Sequence, residues 1–281
     1  MSFTLIETKE DVEYLNKDLL SQSSIAVDTE FRRLGKEDIK LALIQVNDKT
    51  ETYIIDCIKI GEYKDYCSFL SEESVQKVFH SAREDMEAIL SWTDLILTNV
   101  FDTQLANDFL GGLFSIGYKD LVYEKLGVSI EEDETRSNWI RRPLRDSQLH
   151  YAASDVQFLL DLHSDQKNQL KKNRKLDWLY EEIEFLFNQI LLKKEQVPLD
   201  TLKSISKEEE KNLLKEFNDQ VLFIAEKYKI NHIMFFSKKK QREFLRTAIR
   251  KDLNEALNNI TLWRRRLFEN YLNVFFEKLP K

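Results

Sequence analysis

The segment Ser24–Phe31, SIAVDTEF, constrains the fold more than any other part of the chain. Ile25, Ala26 and Val27 form a short unbroken apolar run of the kind that makes a buried strand. Period-two alternation then points Asp28 and Glu30 to one face and Thr29 to the other. Two carboxylates aimed at one spot repel unless a cation lies between them, so the pair predicts either a divalent metal or a strongly shifted pKa. A strand end with two solvated acids fits the same pattern, and the rest of the chain has to decide.

Phe3–Ile6 reads as a first strand, and Thr8 with Asp11 caps an amphipathic helix through Val12, Tyr14, Leu15 and Leu19. Leu41–Val46 and Thr52–Asp56 read as two more strands around the polar turn Asn47–Thr50, which makes the first three sheet strands antiparallel neighbours. A helix over Glu62–Leu70, a strand over Val75–Phe79, a helix over Arg83–Trp92, a strand over Leu95–Val100 and a helix over Asp102–Leu110 follow, the last stopped by Gly111-Gly112. Beyond about Tyr118 only helical periods recur. Strands first, then strands alternating with helices, predict an α/β layered fold with a mixed sheet.

The chain has 281 residues, 42% of them hydrophobic, enough for one large domain or two modest ones. No apolar run approaches the roughly 20 residues of a bilayer span, and the early charges of MSFTLIETKEDVEYL do not make a signal peptide; a soluble, cytoplasmic protein is expected. Cys57 and Cys67 make neither a metal-ligand spacing nor a disulfide framework and read as small buried side chains. Residues 1–165 carry 17 Lys and Arg against 32 Asp and Glu, a formal −15, and the remainder carries 25 against 17, or +8. An acidic front tolerates a metal site and a basic back suits a polyanion.

Two more carboxylates join the first pair. Asp85 opens the helix after the strand VQKVFH, where α/β folds place site residues. Asp155 lies in the helix QLHYAASDVQFLLDL four residues after Tyr151, so both share one face. Asp102, by contrast, reads as an N-cap. Four carboxylates converging on one cavity require cations, and hard oxygen ligands select Mg²⁺ or Mn²⁺. Two such ions roughly 4 Å apart clamp the attacking and leaving oxygens of a phosphodiester. A phenol titrates near 10, so Tyr151 is better suited to orient the attacking water than to deprotonate it.

The order of these blocks, VDTEF, FHSAREDMEAI, FDTQLANDFLG with SIGYKDLVYEKLGV, then SNWIRRPLRDSQLHYAASDVQFLLDL, resembles the ribonuclease D family of DEDD-type 3′-to-5′ exonucleases, in its tyrosine class. The resemblance runs from about Thr4 to about Leu162 and continues into NRKLDWLYEEIEFL. It implies a ribonuclease H-like mixed sheet flanked by helices, two divalent cations, and release of 5′-mononucleotides from RNA 3′ ends. By matching motif, Asp28, Glu30, Asp85 and Asp155 become the metal ligands and Tyr151 the residue that positions water. The substrates implied are precursor tRNA and other small structured RNAs, with no membrane role and a monomeric state. A DNA 3′-to-5′ exonuclease of proofreading or helicase-linked type is the alternative.

His150-Tyr151-Ala-Ala-Ser-Asp155 also satisfies the His-x4-Asp spacing of the histidine class. At about 100° per residue four steps return to the Asp155 face and five overshoot, which favours Tyr151. His80 reads as a packed or capping residue, and His163 and His232 as surface positions. Phe31 is a candidate to wedge against a terminal base, or else a core aromatic; Arg32, Arg33, Lys36, Lys40, Arg141, Arg142 and Arg145 are candidates for phosphates.

Composition shifts near residue 165 to QKNQLKKNRK and divides the chain into a nuclease over 1–165, a helical connector over 166–210 and a small all-α unit over 211–281. In the connector Trp178, Leu179, Ile183, Leu186, Phe187 and Ile190 share a face, and Pro198 punctuates it; helices are expected over Phe217–Tyr228, Gln241–Ala248 and Leu262–Leu279. The last unit resembles an HRDC domain over about Leu213–Phe276, on its Ser-Lys-Lys-Lys block and Trp263-Arg264-Arg265. That resemblance implies a nucleic-acid surface built from Lys238, Lys239, Lys240, Arg242, Arg264 and Arg265, with Arg246, Arg250 and Arg266. Relatives with a full tail carry two such modules, and this chain has room for one.

Overall fold

The computed structural model describes residues 2–35, 38–61, 67–93, 95–131, 134–192 and 207–277. The chain divides into two compact units, one formed by residues 1–106 and 116–172 and the other by 107–115 and 173–281.

The first unit holds a six-stranded sheet in the order β1-β4-β3-β2-β5-β6. Its strands are β1 (Thr4–Ile6), β2 (Ser24–Arg33), β3 (Ile39–Asn47), β4 (Thr52–Asp56), β5 (Gln76–Phe79) and β6 (Val100–Asp102). β2, β3 and β4 are antiparallel neighbours as expected, but β1 pairs in parallel with β4 because the capped helix α1 (Lys9–Leu19) intervenes before the chain returns. β5 and β6 extend the other edge in parallel. The last strand begins later than its apolar run suggests: Asn99 takes a positive φ of 45°, which breaks the extended backbone just before Val100.

β3 is buried from Leu41 to Asn47 because α3 (Arg83–Thr93) and α6 (Asp146–Gln157) both pack on it. A strand covered on both faces has no solvent side to alternate toward, hence its near-continuous apolar sequence. A short helix α2 (Cys57–Ile60) follows β4; of the helix expected over Glu62–Leu70, residues 62–66 lie outside the described residues, as does Lys36, and Ser68–Leu70 forms a 3₁₀ turn. Cys57 and Cys67 are both buried free thiols. α4 (Thr103–Phe109), α5 (Tyr118–Leu126) and α7 (Leu159–Lys172) complete the helices up to residue 172. His163 is not a surface residue: on α7, which packs on β2 and β5, it is 7% exposed, its Nε2 lies 2.8 Å from Gln76 Oε1, and burial pushes its pKa down to about 4.

The second unit contains α8 (Leu176–Leu192), α9 (Lys207–Tyr228), α10 (His232–Phe236), α11 (Lys238–Arg250), α12 (Leu253–Asn258) and α13 (Leu262–Glu277). Phe217 sits at the centre of its core, with Phe236, Phe244, Phe268 and Phe275 at ring-centroid distances of 5.1–5.8 Å. Of the connector face, Leu179 and Ile183 are fully buried; Pro198 lies outside the described residues. Among the described residues no helix is long and apolar enough to cross a membrane.

Candidate metal centre

β5 ends at Phe79, one residue past the Ala26–Val78 pairing, while β2 runs on to Arg33. The stretch of β2 that carries Asp28 and Glu30 therefore loses its neighbour on one side, and a β-bulge at Glu30/Phe31 turns it further. Into this opening come Asp155 and Tyr151 from α6. Asp28, Glu30 and Asp155 each offer an oxygen within 4.8 Å of the others. Together with Tyr151 they line one cavity of about 220 Å³. Three carboxylates this close, all hard oxygen donors, match the coordination preference of Mg²⁺ or Mn²⁺.

The electrostatics follow from burial and from the closeness of the acids to one another. Burial, then Asp85, Asp155 and Glu30, hold the Asp28 carboxyl well above the usual carboxylate range. Burial, then Asp155 and Asp85, push Glu30 up to about 9. Asp85 itself is 6% exposed at the start of α3 and pushed up to about 7 by burial, with a 2.5 Å hydrogen bond from Thr29 Oγ1 opposing the shift. Asp85 thus belongs to the acidic cluster electrostatically, but it stands beside the three-carboxylate cavity and is held from the face of β2 to which Thr29 points.

Tyr151 packs on the cluster of Ala42, Leu43, Ile54 and Trp139, and its ring centroid lies 5.9 Å from that of Trp139. Burial, then Asp155, raises the phenol further above its ordinary value, which suits a hydrogen-bonding role and opposes proton abstraction. His150 lies exposed and edge-on to Phe3 at 5.4 Å, and is not among the cavity-lining residues.

Several supports were not read from sequence. Asp102 caps α4 as expected, through Gln104 N (2.8 Å) and Leu105 N (3.1 Å), and it also accepts from Ser81 N and Ala82 N. That second pair fixes the turn leading to Asp85. Tyr118 accepts from Phe158 N and donates to Ser154 O, which braces the end of α6 beside Asp155. Tyr118, Lys119, Ile130 and Thr135 line the cavity, as does His80, packed between Thr103 Oγ1 and Ile116 O. Tyr118 and Lys119 fall in the SIGYKDL block, the one available signal.

Two expected nucleic-acid contacts are structural instead. Arg142 makes a bidentate pair with buried Asp56 at 2.6 Å for both bonds and donates to Trp139 O, Arg141 O and Ala42 O, so its guanidinium is consumed in anchoring the entry to α6. Arg264 is 2% exposed and paired with Glu182, Phe235 O and Met234 O. Phe31 is half-buried, with the Arg33 guanidinium 5.8 Å from its ring centroid. Arg32, Lys238, Lys239, Lys240, Arg242 and Arg265 are exposed.

A mixed sheet whose carboxylates converge beyond the end of a parallel strand defines the class of DEDD-type nucleases suggested by the motifs. Residues 3–171 match the 3′-5′ exonuclease family, and the chain belongs to it. Within that family the nuclease portion is similar to ribonuclease D of Pseudomonas paraeruginosa, 36% identical over 162 residues, 58% of this chain and 43% of the relative. The chain thus spans less than half the length of that relative. The crystal structure of Escherichia coli RNase D, an exoribonuclease involved in structured RNA processing, has the same fold, with a TM-score of 0.66 and 24% identity over 100% of this chain and 76% of that one. Brucella melitensis NrnC with bound Mg²⁺ shares it at a TM-score of 0.59 and 23% identity, covering 73% of this chain and 100% of that one. The fold is ribonuclease H-like.

Proposed function

We propose that this chain is a two-metal 3′-to-5′ exoribonuclease that releases 5′-mononucleotides and trims the 3′ ends of precursor tRNA and other small structured RNAs. The observation that carries the reading is the meeting of Asp28, Glu30 and Asp155 with Tyr151 around one cavity, from positions far apart in sequence. Similarity to ribonuclease D supports RNA as substrate.

Asp28, Glu30, Asp155 and Asp85 would hold two divalent cations, Mg²⁺ or Mn²⁺, which when bound supply Lewis acidity to the attacking and leaving oxygens. Asp28, whose carboxyl is raised by Asp85, Asp155 and Glu30, would contribute to holding both cations. Tyr151 keeps its proton and hydrogen-bonds the nucleophilic water, aligning it with the scissile phosphorus; its packing against Trp139 limits where the hydroxyl can go. The proposal includes three parts, a nuclease over 1–165, a connector over 166–210 and an HRDC-like unit over 211–281, in a cytoplasmic monomer.

The test is 3′ shortening of a tRNA with an extended 3′ end, beside matched DNA, by wild type and Asp28→Asn. Mononucleotides from RNA that vanish in the variant are expected. Intact RNA ends with Mg²⁺ and with Mn²⁺, or preferential hydrolysis of the DNA, would sink the reading.

A further inference from the structure

Tyr151 is held by two parts of one short segment, residues 134–139. Trp139 packs on its ring at a centroid distance of 5.9 Å, and Thr135 Oγ1 lies 3.4 Å from its hydroxyl oxygen. Thr135 also lines the cavity that Asp28, Glu30 and Asp155 share with the phenol. The ring contact fixes where the phenol is; the hydroxyl contact bears on where its proton points.

Thr135 is exposed, but its place is set by a pinned turn. Ser137 N donates to Glu134 O at 2.9 Å, which closes a β-turn with Thr135 and Arg136 at the two central positions. That turn is tied to the start of α6. The Glu134 carboxylate accepts from Ser137 Oγ at 2.8 Å, from Ser147 Oγ at 2.5 Å and from the Arg145 guanidinium. Arg145 and Gln148 side chains each donate to Ser137 Oγ at 3.0 Å, and Gln148 Oε1 accepts from Arg145 N. These ties end on residues 145–148, one turn before Tyr151 on the same helix, so a single small assembly sets Thr135 against Tyr151.

A separation of 3.4 Å is long for an O–H···O bond. Hydrogen bonds at catalytic centres are often this long before substrate arrives and shorten once it does. Either hydroxyl can donate, and the direction matters, because a phenol has one proton to give and lone pairs to receive with. A proton aimed at the nucleophilic water would occupy a lone pair that attack on phosphorus requires. With that proton committed elsewhere, the phenol oxygen meets the water as an acceptor and leaves the water's lone pairs free. The neighbouring carboxylates are the proposed cation ligands, and a neutral hydroxyl takes the phenol proton without competing for that role.

We infer that Thr135 is a positioning residue for the hydrolysis: its hydroxyl accepts the Tyr151 proton and so presents the phenol oxygen to water as an acceptor. The consequence for catalysis rests on the proposed function, while the pairing of the two hydroxyls rests on the structure alone.

The experiment compares wild type with Thr135→Val, Thr135→Ser, Tyr151→Phe and the Thr135→Val/Tyr151→Phe double variant in two measurements. The first is steady-state hydrolysis of an RNA oligonucleotide with Mn²⁺. Thr135→Val, close in shape but without the hydroxyl, should lower kcat about fivefold, the size of one net hydrogen bond, with KM for RNA and the Mn²⁺ requirement unchanged. Thr135→Ser should restore most of the loss. In the Tyr151→Phe background Thr135→Val should cost nothing further, because the group through which it acts is gone. A wild-type kcat in Thr135→Val would overturn the inference. So would a loss that Thr135→Ser shares or that persists beside Tyr151→Phe, since either marks a disturbed turn and not a misdirected proton.

The second measurement follows the Tyr151 Cζ resonance by NMR of tyrosine-labelled protein in EDTA, the signal being assigned by its loss in Tyr151→Phe. A phenol that donates is displaced toward the phenolate position, so Thr135→Val should move the resonance away from that position and Thr135→Ser should leave it in place. No movement, or movement toward the phenolate position, would overturn the inference whether or not RNA is cut. A resonance that moves as expected in a protein that leaves RNA intact would reject the nuclease reading and leave the hydroxyl pairing standing.

Discussion

Both units bury carboxylates, and they do so in opposite ways. In the second unit Glu182 is 3% exposed, yet its pKa is held below the usual range, because Arg264 sits against it and Trp263 Nε1 donates to it at 3.1 Å. In the first unit Asp28, Glu30 and Asp85 are raised, because burial is joined by other acids. Asp56, in that same unit, also has a cation built in: it caps α2 through Ile58 N and Lys59 N and takes both arms of Arg142. A buried acid with its cation built in is part of the scaffold. A group of carboxylates held close enough to repel one another is a site suited to a cation.

The largest effect expected from this contrast is at Glu182–Arg264. Arg264→Met leaves an unpaired buried carboxylate and should cost about 3–5 kcal/mol in urea unfolding. Replacing both partners, Glu182→Leu with Arg264→Met, should recover most of that loss, since desolvation of the pair offsets much of its attraction. Asp28→Asn should do the reverse of Arg264→Met and raise the melting temperature of metal-free protein while it removes turnover. A fall in stability on Asp28→Asn would mean that the charge is compensated within the chain, and the contrast would fail.

The second effect is pH dependence. Glu30 and Asp85 have folded pKa values of about 9 and about 7, above their ordinary values of 4.5 and 3.8. A raised folded pKa means that the folded state holds the proton more tightly. The resulting stability is complete below the ordinary value and is lost as pH climbs through the folded one. Metal-free protein should therefore melt at progressively lower temperature from about pH 4 to about pH 9. Mg²⁺ or Mn²⁺ should stabilise more at the alkaline end, where the ligands are ionised. Differential scanning calorimetry with and without EDTA checks both. A melting temperature that rises toward pH 9 without metal would show that these acids are not mutually repelled.

Which of these features sequence reveals follows from the range of the interactions. Asp28 with Glu30, and Tyr151 with Asp155, were legible because strand and helix periods fix which neighbours share a face. Arg142 and Arg264 were misread as phosphate ligands because their acids, Asp56 and Glu182, lie 86 and 82 residues away, and no spacing rule spans that distance. The same applies to His163, buried by a strand 87 residues earlier. The late start of β6 and the parallel β1 both turned on backbone geometry and pairing that propensity does not encode.

The smallest effect concerns Gln45, which lies on β3 directly opposite Asp28 and is 0% exposed. Neither its amide nitrogen nor its oxygen has a hydrogen-bond partner among the described residues. Directly opposed residues of an antiparallel pair share a face, so Gln45 lies on the same face of the sheet as Asp28. Leaving a buried amide unpaired costs about 1–3 kcal/mol, whereas an apolar group of the same shape costs nothing of the kind. If Gln45 belongs to the scaffold, Gln45→Met should stabilise the protein by about 1 kcal/mol with or without metal. If it belongs with the site acids, the gain should appear only in EDTA and shrink on titration with Mn²⁺, because its hydrogen bonds then serve the loaded site. Equal stabilisation in both conditions would place Gln45 outside the site and narrow the functional region to the carboxylates and Tyr151.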